Sequence, residues 1–207
     1  TYGHVTQCVW REEWDELSFD DQADLQSWQG VSFPMHEGAA VMDTETGEMV
    51  PRDGETQGEI VLRGNAVMKG YYRNEAATAE SLRDGWFFSG DAAVWHENGY
   101  IQIKDRLKDV IISGGENISS VEVEGYLYRH PAVAAAAVVA KPDETWGEVP
   151  CAFVELKPGE SIEEAEFLDW CRGQMAGFKR PKQVVFGDLP KTSTGKIQKF
   201  VLRQQVT

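Results

Sequence analysis

The sequence predicts an α+β protein in which a small β-rich, barrel-like segment is followed by a compact α+β unit. Between Gly38 and Lys104, short apolar runs alternate with turn residues, as is typical of strands. After a charged cluster at residues 104–109, the periodicity changes to that of helices and strands in the order αββαβα. The 207 residues can form two modest domains. We place their boundary between residues 1–107 and 108–207.

The first part begins with a predicted loop and a short amphipathic helix. Trp14, Leu17, Leu25 and Trp28 fall near helical spacing in this acidic segment. Strands are predicted at residues 39–43, 59–64 and 100–104, with a turn at residues 44–47 and a helix at residues 74–82.

The second part begins with a helix that Ser119 or Ser120 can cap and that Pro131 closes. Strands are predicted at residues 133–140, 151–156 and 183–186. The spacing of Ser161 and Glu164 is that of a capping box, which predicts a helix from there to about Met175. A last helix is expected from about Lys196.

Several classes of protein are excluded by composition. No apolar run approaches the roughly 20 residues of a membrane span, so we expect no transmembrane segment and a cytoplasmic location. The three cysteines form neither a disulfide framework nor a zinc pattern, and the four histidines have no metal-ligand spacing. The chain opens at Thr1 without methionine, and we expect it to be a piece of a longer protein.

Charge is unevenly distributed along the chain. Residues 176–207 carry a net charge of +6, whereas residues 1–175 carry a net charge of −20. The acidic body argues against nonspecific nucleic-acid binding. The basic tail could meet a small polyanion such as a nucleotide, or it could be a solvated helix face.

Three short motifs each allow a functional and a structural interpretation. Asp91 after Gly90 could accept both hydroxyls of a ribose or cap a turn. Gly114-Gly115 could admit a ligand close to the backbone or form a hairpin. The segment Pro190–Lys196 is not a Walker A loop, because it lacks the first glycine and has Ile197 where a hydroxyl is needed. It leaves Lys196 either as a mobile point charge for phosphate or carboxylate, or as a solvated residue.

Taken in order, these motifs resemble the adenylate-forming superfamily of acyl-CoA synthetases, luciferases and nonribosomal adenylation domains. The resemblance covers essentially the whole chain and is carried by TYGxxT, GWFFSGD, KDRLKDVIISGGENIS and LPKTSTGK. Medium- and long-chain fatty acyl-CoA ligases resemble it most. The resemblance identifies residues 1–107 as the end of the large AMP-binding domain and residues 108–207 as the mobile C-terminal domain.

The resemblance also implies a reaction. A carboxylic acid substrate would attack Mg-ATP, and coenzyme A would then attack the acyl-adenylate. Tyr2, with Gly3, would lie against the adenine, and Thr6 would contact phosphate or the substrate carboxylate. Asp91 and Arg106 would hold the ribose hydroxyls.

The same resemblance assigns roles in the second part of the chain. Lys196 would be the catalytic lysine, and Lys108 would be the hinge about which the C-terminal domain turns. The implied coenzyme A contacts are Gly114, Gly115, Glu116, Asn117, Phe178, Arg180 and Lys182.

Two departures from the family pattern limit these expectations. Gln7 stands where the family usually has a glutamate that binds Mg²⁺, so the metal role of this position is open. The triphosphate-binding loop and most of the acyl pocket would precede Thr1, so we expect the chain alone to be inactive. An adenylation domain that loads a carrier protein and a noncatalytic nucleotide-binding module remain alternatives.

Overall fold

The computed structural model describes residues 1–206, which form two compact units. The first unit is Thr1–Leu107 and the second begins at Lys108. Helices and strands are mixed in both, which confirms the α+β prediction. No helix among the described residues is long and apolar enough to cross a membrane.

The first unit is built around one five-stranded sheet. Its elements, in chain order, are β1 (Thr6–Gln7), α1 (Phe19–Ser27), β2 (Val31–Ser32), β3 (Gly38–Met42), β4 (Gln57–Arg63), α2 (Glu75–Ser81), β5 (Leu82–Arg83), β6 (Trp86–Trp95) and β7 (Ile101–Arg106). The sheet order is β3-β4-β6, and β6 pairs on its other side with both β5 and β7. All of these pairings are antiparallel. β1 and β2 form a separate two-stranded pair.

The predicted strands of this unit are confirmed, and β6 is an additional long strand. Apolar residues are buried on both faces of the sheet, and the period-2 alternation of the strands separates them: the fully buried Val41 and Ala93 pack in one core cluster, whereas Val61 packs in another. The segment GWFFSGDAAVW was not predicted as a strand because it contains a glycine and a charged residue, yet Trp86–Trp95 forms a ten-residue strand. That glycine and that charged residue belong to an irregularity inside β6, which is described below.

The first predicted helix is shorter than the apolar spacing indicated. Trp14 ends a 3₁₀ turn at Glu12–Trp14, and Trp28 follows the last residue of α1. The tryptophans are instead recruited by tertiary packing: Trp14 contacts the ring of Tyr100 edge-on, and Trp28 stacks on His96 with 3.8 Å between ring centroids. Aromatic packing against the turn between β6 and β7, and not a continuous helix face, therefore accounts for the positions of Trp14 and Trp28.

The second unit is an α+β sandwich around a second five-stranded sheet. Its elements are β8 (Ile111–Ser113), β9 (Glu116–Ile118), α3 (Ser120–Leu127), β10 (Val133–Asp143), β11 (Gly147–Leu156), α4 (Glu164–Arg172), β12 (Gln183–Phe186) and α5 (Lys199–Arg203). The order is β10-β11-β8-β9, and β12 pairs in parallel with β11. Successive residues of β10 point to opposite faces, so the sheet has two cores. Val138 packs in the core that contains residues of α3 and α4, whereas Val139 packs in the core that contains Leu202 of α5.

In this unit α3 begins where it was predicted to begin, whereas α4 and α5 do not. Ser119 caps α3, its side chain accepting a hydrogen bond from the backbone N–H of Glu122. The predicted capping box at Ser161 is wrong, because the N-cap of α4 is Glu163, which makes no side-chain cap bond. The last helix begins at Lys199 instead of Lys196, because residues 191–197 close a loop through a bridge between Lys191 and Ile197.

The cysteines are free thiols, as predicted. Cys151 and Cys171 are core residues, and burial raises the pKa of each to about 11. Cys8 is exposed. The two buried thiols are therefore protonated and inert at neutral pH.

Candidate functional site

Asp91 and Arg106 face each other across the β6–β7 pair. They are direct partners in the strand register, and Arg106 Nε donates to Asp91 Oδ1 at 2.8 Å. The Asp91 side chain is 22% exposed and that of Arg106 is 50% exposed. A carboxylate and a guanidinium that are adjacent and reachable from solvent can together accept from and donate to two neighbouring hydroxyls.

The pairing of β6 with its neighbours is irregular on both sides of Ala92, and this determines where Asp91 faces Arg106. On the β4 side, Glu59 pairs with Ala92 and Val61 pairs with Phe88, so that residues 89–91 lie opposite one residue of β4. On the β7 side, Ala92 pairs with Asp105 and Ala93 with Ile103, so that Lys104 is the extra residue. Such bulges redirect side chains at the point where they occur, and sequence patterning alone does not reveal them.

The residues predicted to meet adenine and phosphate lie at the start of the first unit. The Tyr2 side chain is 90% exposed, while the Tyr2 N–H donates to the Ala66 carbonyl at 2.8 Å. Gly3 has φ of +78°, a conformation that favours glycine. Thr6 and Gln7 are half-buried and form β1, which pairs with Ser32 and Val31.

Gly30 fixes the position of β1. Its φ is +79°, and a Cβ there would come within 2.0 Å of the Gln7 carbonyl oxygen. Only glycine permits this close approach of two backbone segments. The Gly30 N–H also donates to the Ile101 carbonyl, so the same residue joins β1 to β7 of the sheet.

No preformed metal site accompanies Gln7. Among residues 1–206, no group of three or more histidine, cysteine, aspartate or glutamate side chains is arranged to hold a metal ion. The amide oxygen of Gln7 could supply one ligand at most, and Mg²⁺ prefers several oxygens, commonly carboxylates and phosphates. The described residues alone therefore do not form a site for a resident Mg²⁺.

The predicted hinge residue, Lys108, is exposed and lies in a 3₁₀ turn, Leu107–Asp109. The residue after it is anchored: Asp109 forms an ion pair with Arg203 of α5, and the Asp109 side chain is only 13% exposed. Lys108 is therefore directly followed by a point that is fixed to the second unit.

Gly114 and Gly115 form the two-residue turn of the β8–β9 hairpin. Their φ angles are +59° and +87°, as a type I′ hairpin turn requires at both central positions. Both the hairpin and the close-approach alternatives are thus compatible with the geometry. Gly114 also needs to lack a side chain because a Cβ would come within 2.8 Å of the Trp146 ring. Glu116 and Asn117 follow on β9 and are exposed.

The second predicted coenzyme A segment, residues 178–182, begins within a 3₁₀ turn and ends directly before β12. Phe178 is 43% exposed, and Lys182 is also exposed. Arg180 is half-buried, with its Nε donating to the Met175 carbonyl at 3.1 Å. A positive and partly aromatic surface of this type suits a phosphate-bearing nucleotide.

Strand β11 brings the two predicted coenzyme A segments to one of its two long edges, the one opposite β10. Ser113 of the hairpin pairs with Gly147, and Lys182 donates its N–H to the carbonyl of Pro150. Gly147 and Pro150 are three residues apart, which is about 10 Å along a strand. Two segments separated by more than sixty residues in the sequence therefore lie along the same side of β11.

Lys196 is exposed at the end of a closed loop. The Lys196 N–H donates to the Thr192 hydroxyl at 3.1 Å, and the Thr192 N–H donates to the Lys196 carbonyl at 2.8 Å. Gly195, with φ of +85°, makes the turn. The loop predicted as mobile is thus held by its own backbone, and it presents the Lys196 ammonium to solvent.

Glu59 is a residue that sequence reasoning missed. This carboxylate on β4 is 6% exposed and accepts a hydrogen bond from the N–H of Gly90, beside Asp91. A glutamate directly before the apolar run of the predicted strand at residues 59–64 was the available signal, because buried charges need a specific reason.

Comparison with known proteins gives two family matches. A model of AMP-binding enzymes matches residues 2–72, and a model of the AMP-binding enzyme C-terminal domain matches residues 122–196. The acetate–CoA ligase CCL3 of Humulus lupulus is 58% identical over an alignment of 208 positions, which covers 98% of this chain and 37% of that protein. The peroxisomal acetate/butyrate–CoA ligase AAE7 of Arabidopsis thaliana is 55% identical, with the same coverage of both proteins.

Solved structures show the same fold. ATP-bound MatB from Rhodopseudomonas palustris matches with a TM-score of 0.78 and 39% identity, over 86% of this chain and 35% of that one. The anthranilate CoA ligase AuaEII, in complex with anthranoyl-AMP, matches with a TM-score of 0.76 and 34% identity, over 87% of this chain and 35% of that one. The chain spans a little over a third of the length of the curated relatives described above.

Proposed function

Because this chain belongs to the AMP-binding, adenylate-forming enzymes, we propose that it is part of an ATP-dependent acid–thiol ligase that joins a carboxylic acid to coenzyme A. The acid carboxylate attacks the α-phosphorus of ATP and releases pyrophosphate. The thiol of coenzyme A then attacks the acyl carbon of the acyl-adenylate and releases AMP. The proposal depends above all on one observation, the Asp91–Arg106 pair at 2.8 Å.

The first unit contributes the nucleotide contacts. Asp91 accepts a hydrogen bond from a ribose hydroxyl, and Arg106 donates to a ribose oxygen. Tyr2, whose ring is 90% exposed, stacks on adenine, with Gly3 allowing the turn beside it. The hydroxyl of Thr6 hydrogen-bonds to phosphate or to the substrate carboxylate.

Lys196 stabilises the adenylation transition state. Negative charge accumulates on the α-phosphate and the attacking carboxylate, and an ammonium between them lowers the energy of that charge. The closed loop of residues 191–197 supports this role because it holds the backbone of Lys196 while the flexible side chain extends from it.

We assign the second half-reaction to the edge of β11. The turn at Gly114 and Gly115, with Glu116 and Asn117, lines the path of the pantetheine thiol. Phe178, Arg180 and Lys182 contact the coenzyme A nucleotide, since their charges match its phosphates. Lys108 is the hinge that lets the second unit present Lys196 in one half-reaction and this edge in the other.

The names of related proteins support a small carboxylic acid as the substrate. Acetate, butyrate and 2-methylpropanoate occur in the names of relatives that are 54% to 58% identical to this chain, and trans-cinnamate in one that is 49% identical. The expectation of a medium- or long-chain fatty acid stays a prediction. The cytoplasmic location also stays a prediction, and some relatives are named peroxisomal.

We also propose that residues 1–207 do not catalyse adenylation alone. The chain spans 37% of the acetate–CoA ligase relative. The family resemblance implies that the triphosphate-binding loop and most of the acyl pocket are in segments that this chain does not include. The isolated chain is expected to give no pyrophosphate exchange above background.

The intact protein provides the test. It is incubated with ATP, labelled pyrophosphate and single carboxylic acids, beginning with acetate, butyrate, 2-methylpropanoate and cinnamate. Acid-dependent exchange and release of acyl-CoA from free coenzyme A are expected. Exchange without acyl-CoA release would instead support an adenylation domain that loads a carrier protein. Absence of exchange with any acid would support the noncatalytic nucleotide-binding module.

A further inference from the structure

Glu59 is a buried carboxylate to which the proposed reaction gives no role. It lies on β4, in the central part of the first unit's sheet, and is 6% exposed. Its neighbours Ile60 and Val61 are buried apolar residues. A glutamate in such a position is costly unless its oxygens are engaged by specific donors.

The donor to Glu59 lies in the bulge of β6. Residues 89–91 have no regular partners on β4, because Ala92 pairs with Glu59 and Phe88 pairs with Val61. The Gly90 N–H, which the β4 ladder leaves unpaired, donates to Glu59 Oε1 at 2.7 Å. Gly90 has φ of +77°, so the bulge also requires glycine there.

The same bulge determines where the Asp91 carboxylate lies. The Asp91 N–H donates to the Ser89 hydroxyl at 3.1 Å. The Ser89 carbonyl accepts from Arg106 Nη1 at 3.4 Å, in addition to the ion pair between Arg106 and Asp91. The bulge backbone is thus held by Glu59 on one side, and it contacts both members of the Asp91–Arg106 pair on the other.

We propose that Glu59 is a positioning residue that sets the selectivity of the nucleotide site for ribose. By accepting from Gly90, it holds the bulge in the conformation that places Asp91 against Arg106. The pair can then discriminate a nucleotide that carries both ribose hydroxyls from one that lacks the 2′- or the 3′-hydroxyl. This inference rests on the proposed function, in which Asp91 and Arg106 contact the ribose.

The surroundings of Glu59 indicate that the hydrogen bond matters more than the charge. Burial raises the pKa of Glu59, while the bond from Gly90 and the charge of Arg83 oppose that shift and the charge of Asp91 adds to it. The Arg83 guanidinium lies over the Phe88 ring, with 3.8 Å between its Cζ and the ring centroid. A neutral amide oxygen at this position would still accept the Gly90 N–H, so Gln is a conservative replacement.

The test measures ATP–pyrophosphate exchange by the intact protein with ATP, 2′-deoxy-ATP and 3′-deoxy-ATP. The measured quantity is the ratio of kcat/KM for ATP to kcat/KM for each deoxynucleotide. Glu59→Ala and Glu59→Met, which remove the acceptor, are expected to lower at least one ratio by about 10-fold, since they leave the partly buried Gly90 N–H without the oxygen that holds the bulge. Glu59→Gln is expected to keep both ratios within about twofold of the unsubstituted protein.

Glu37→Ala is the matched control. Glu37 pairs with Arg63 at 2.9 Å, and both side chains are more than half exposed. Its loss should leave the ratios unchanged. Met keeps the volume of the glutamate if the Ala variant does not fold.

Each other outcome overturns a specific statement. If the Ala and Met variants lose rate equally with all three nucleotides, Glu59 has a structural role only and the inference is wrong. If Gln behaves as Met does, the charge and not the hydrogen bond is responsible, which also overturns it. If the unsubstituted protein exchanges with ATP but does not discriminate against either deoxynucleotide, the ribose contacts assigned to Asp91 and Arg106 are wrong, and the inference about Glu59 is wrong as well. Absence of exchange with ATP would contradict the proposed function instead.

Discussion

Lys199 of α5 lies 2.6 Å from Glu124 Oε1 of α3, and the same carboxylate oxygen accepts the N–H of Val138 at 2.8 Å. β10 is the edge strand, so Glu124 covers a backbone donor that has no neighbouring strand. The Lys199 ammonium also donates to the Ser120 hydroxyl at 2.7 Å. One ammonium thus joins the two helices that pack on opposite faces of the sheet.

Substitution Lys199→Ala should destabilise the second unit. The Lys199 and Glu124 side chains are 17% and 15% exposed, so removing the cation leaves a poorly solvated carboxylate. We expect a loss of about 2 kcal/mol, and a fall in melting temperature of roughly 4–8 °C per kcal/mol for a unit of this size. Thermal unfolding of the 207-residue chain provides the measurement.

Arg172→Ala is the control for that substitution. Arg172 pairs with Asp169, but these side chains are 69% and 73% exposed. Its loss is expected to change stability by less than about 0.5 kcal/mol. Equal effects of the two substitutions would mean that burial does not strengthen the Lys199–Glu124 pair.

Substitution Lys196→Ala should separate the half-reactions in the intact protein. Adenylation is expected to fall by about 10²–10³, because the ammonium acts on charge that develops in that transition state. Thioester formation from supplied acyl-adenylate should be largely spared. Pyrophosphate exchange measures the first step, and acyl-CoA release measures the second.

Lys191→Ala is the matched control for Lys196, since it removes another lysine of the same loop. Lys191 pairs with Glu155 at 2.8 Å, so its charge is already engaged. We expect an effect on adenylation of less than about 10-fold. Unchanged adenylation in Lys196→Ala would show that the catalytic role is assigned to the wrong residue.

Substitution Lys108→Pro should have the opposite effect. Proline fixes φ near −65°, which restricts rotation at the proposed hinge. Adenylation is expected to be largely retained and thioester formation to be impaired. Lys108→Ala, which removes the same side chain without fixing φ, should retain both steps. Equal loss of both half-reactions in the proline variant would count against the hinge.

Substitution Gln7→Glu tests the position at which the sequence departs from its family. A carboxylate adds a negative charge beside bound Mg-ATP, so the Mg²⁺ concentration that supports half-maximal exchange should fall. A magnesium titration of pyrophosphate exchange measures it, with Gln57→Glu on an exposed strand position as the control. An unchanged requirement would mean that residue 7 is not a metal ligand.

The pH dependence of stability should reveal Glu59. Its pKa is raised in the folded state, mainly by burial, so its contribution favours folding below the unfolded-state pKa and is lost as pH rises through the folded-state pKa. Glu59→Gln, which has no such titration, is expected to gain stability relative to the unsubstituted chain as pH rises from about 4 to 7. Urea unfolding at several pH values measures this difference. A difference that shrinks as pH rises would show that the folded state favours the charged form.

Local patterning determined most of the elements. Short apolar runs located β3, β4, β7, β11 and β12, and a serine before a helical pattern located the start of α3, because these signals act within a few residues. The order of the motifs identified the family, and with it the proposed roles of Asp91, Arg106 and Lys196. Patterning failed for Trp14 and Trp28, where long-range aromatic contacts with Tyr100 and His96 overrode it. It also failed at Ser161, because the N-cap of α4 is Glu163.

The sequence by itself determined the α+β class, the family and the residue types that the chemistry needs. Tertiary structure alone decided how those residues meet. The bulges around Ala92 bring Asp91 into register with Arg106, β11 brings Gly114 and Lys182 along one of its edges, and Glu59 accepts the N–H of Gly90 on the neighbouring strand. A bulge is a property of two strands paired together, and its geometry depends on donors and acceptors that lie far apart along the chain.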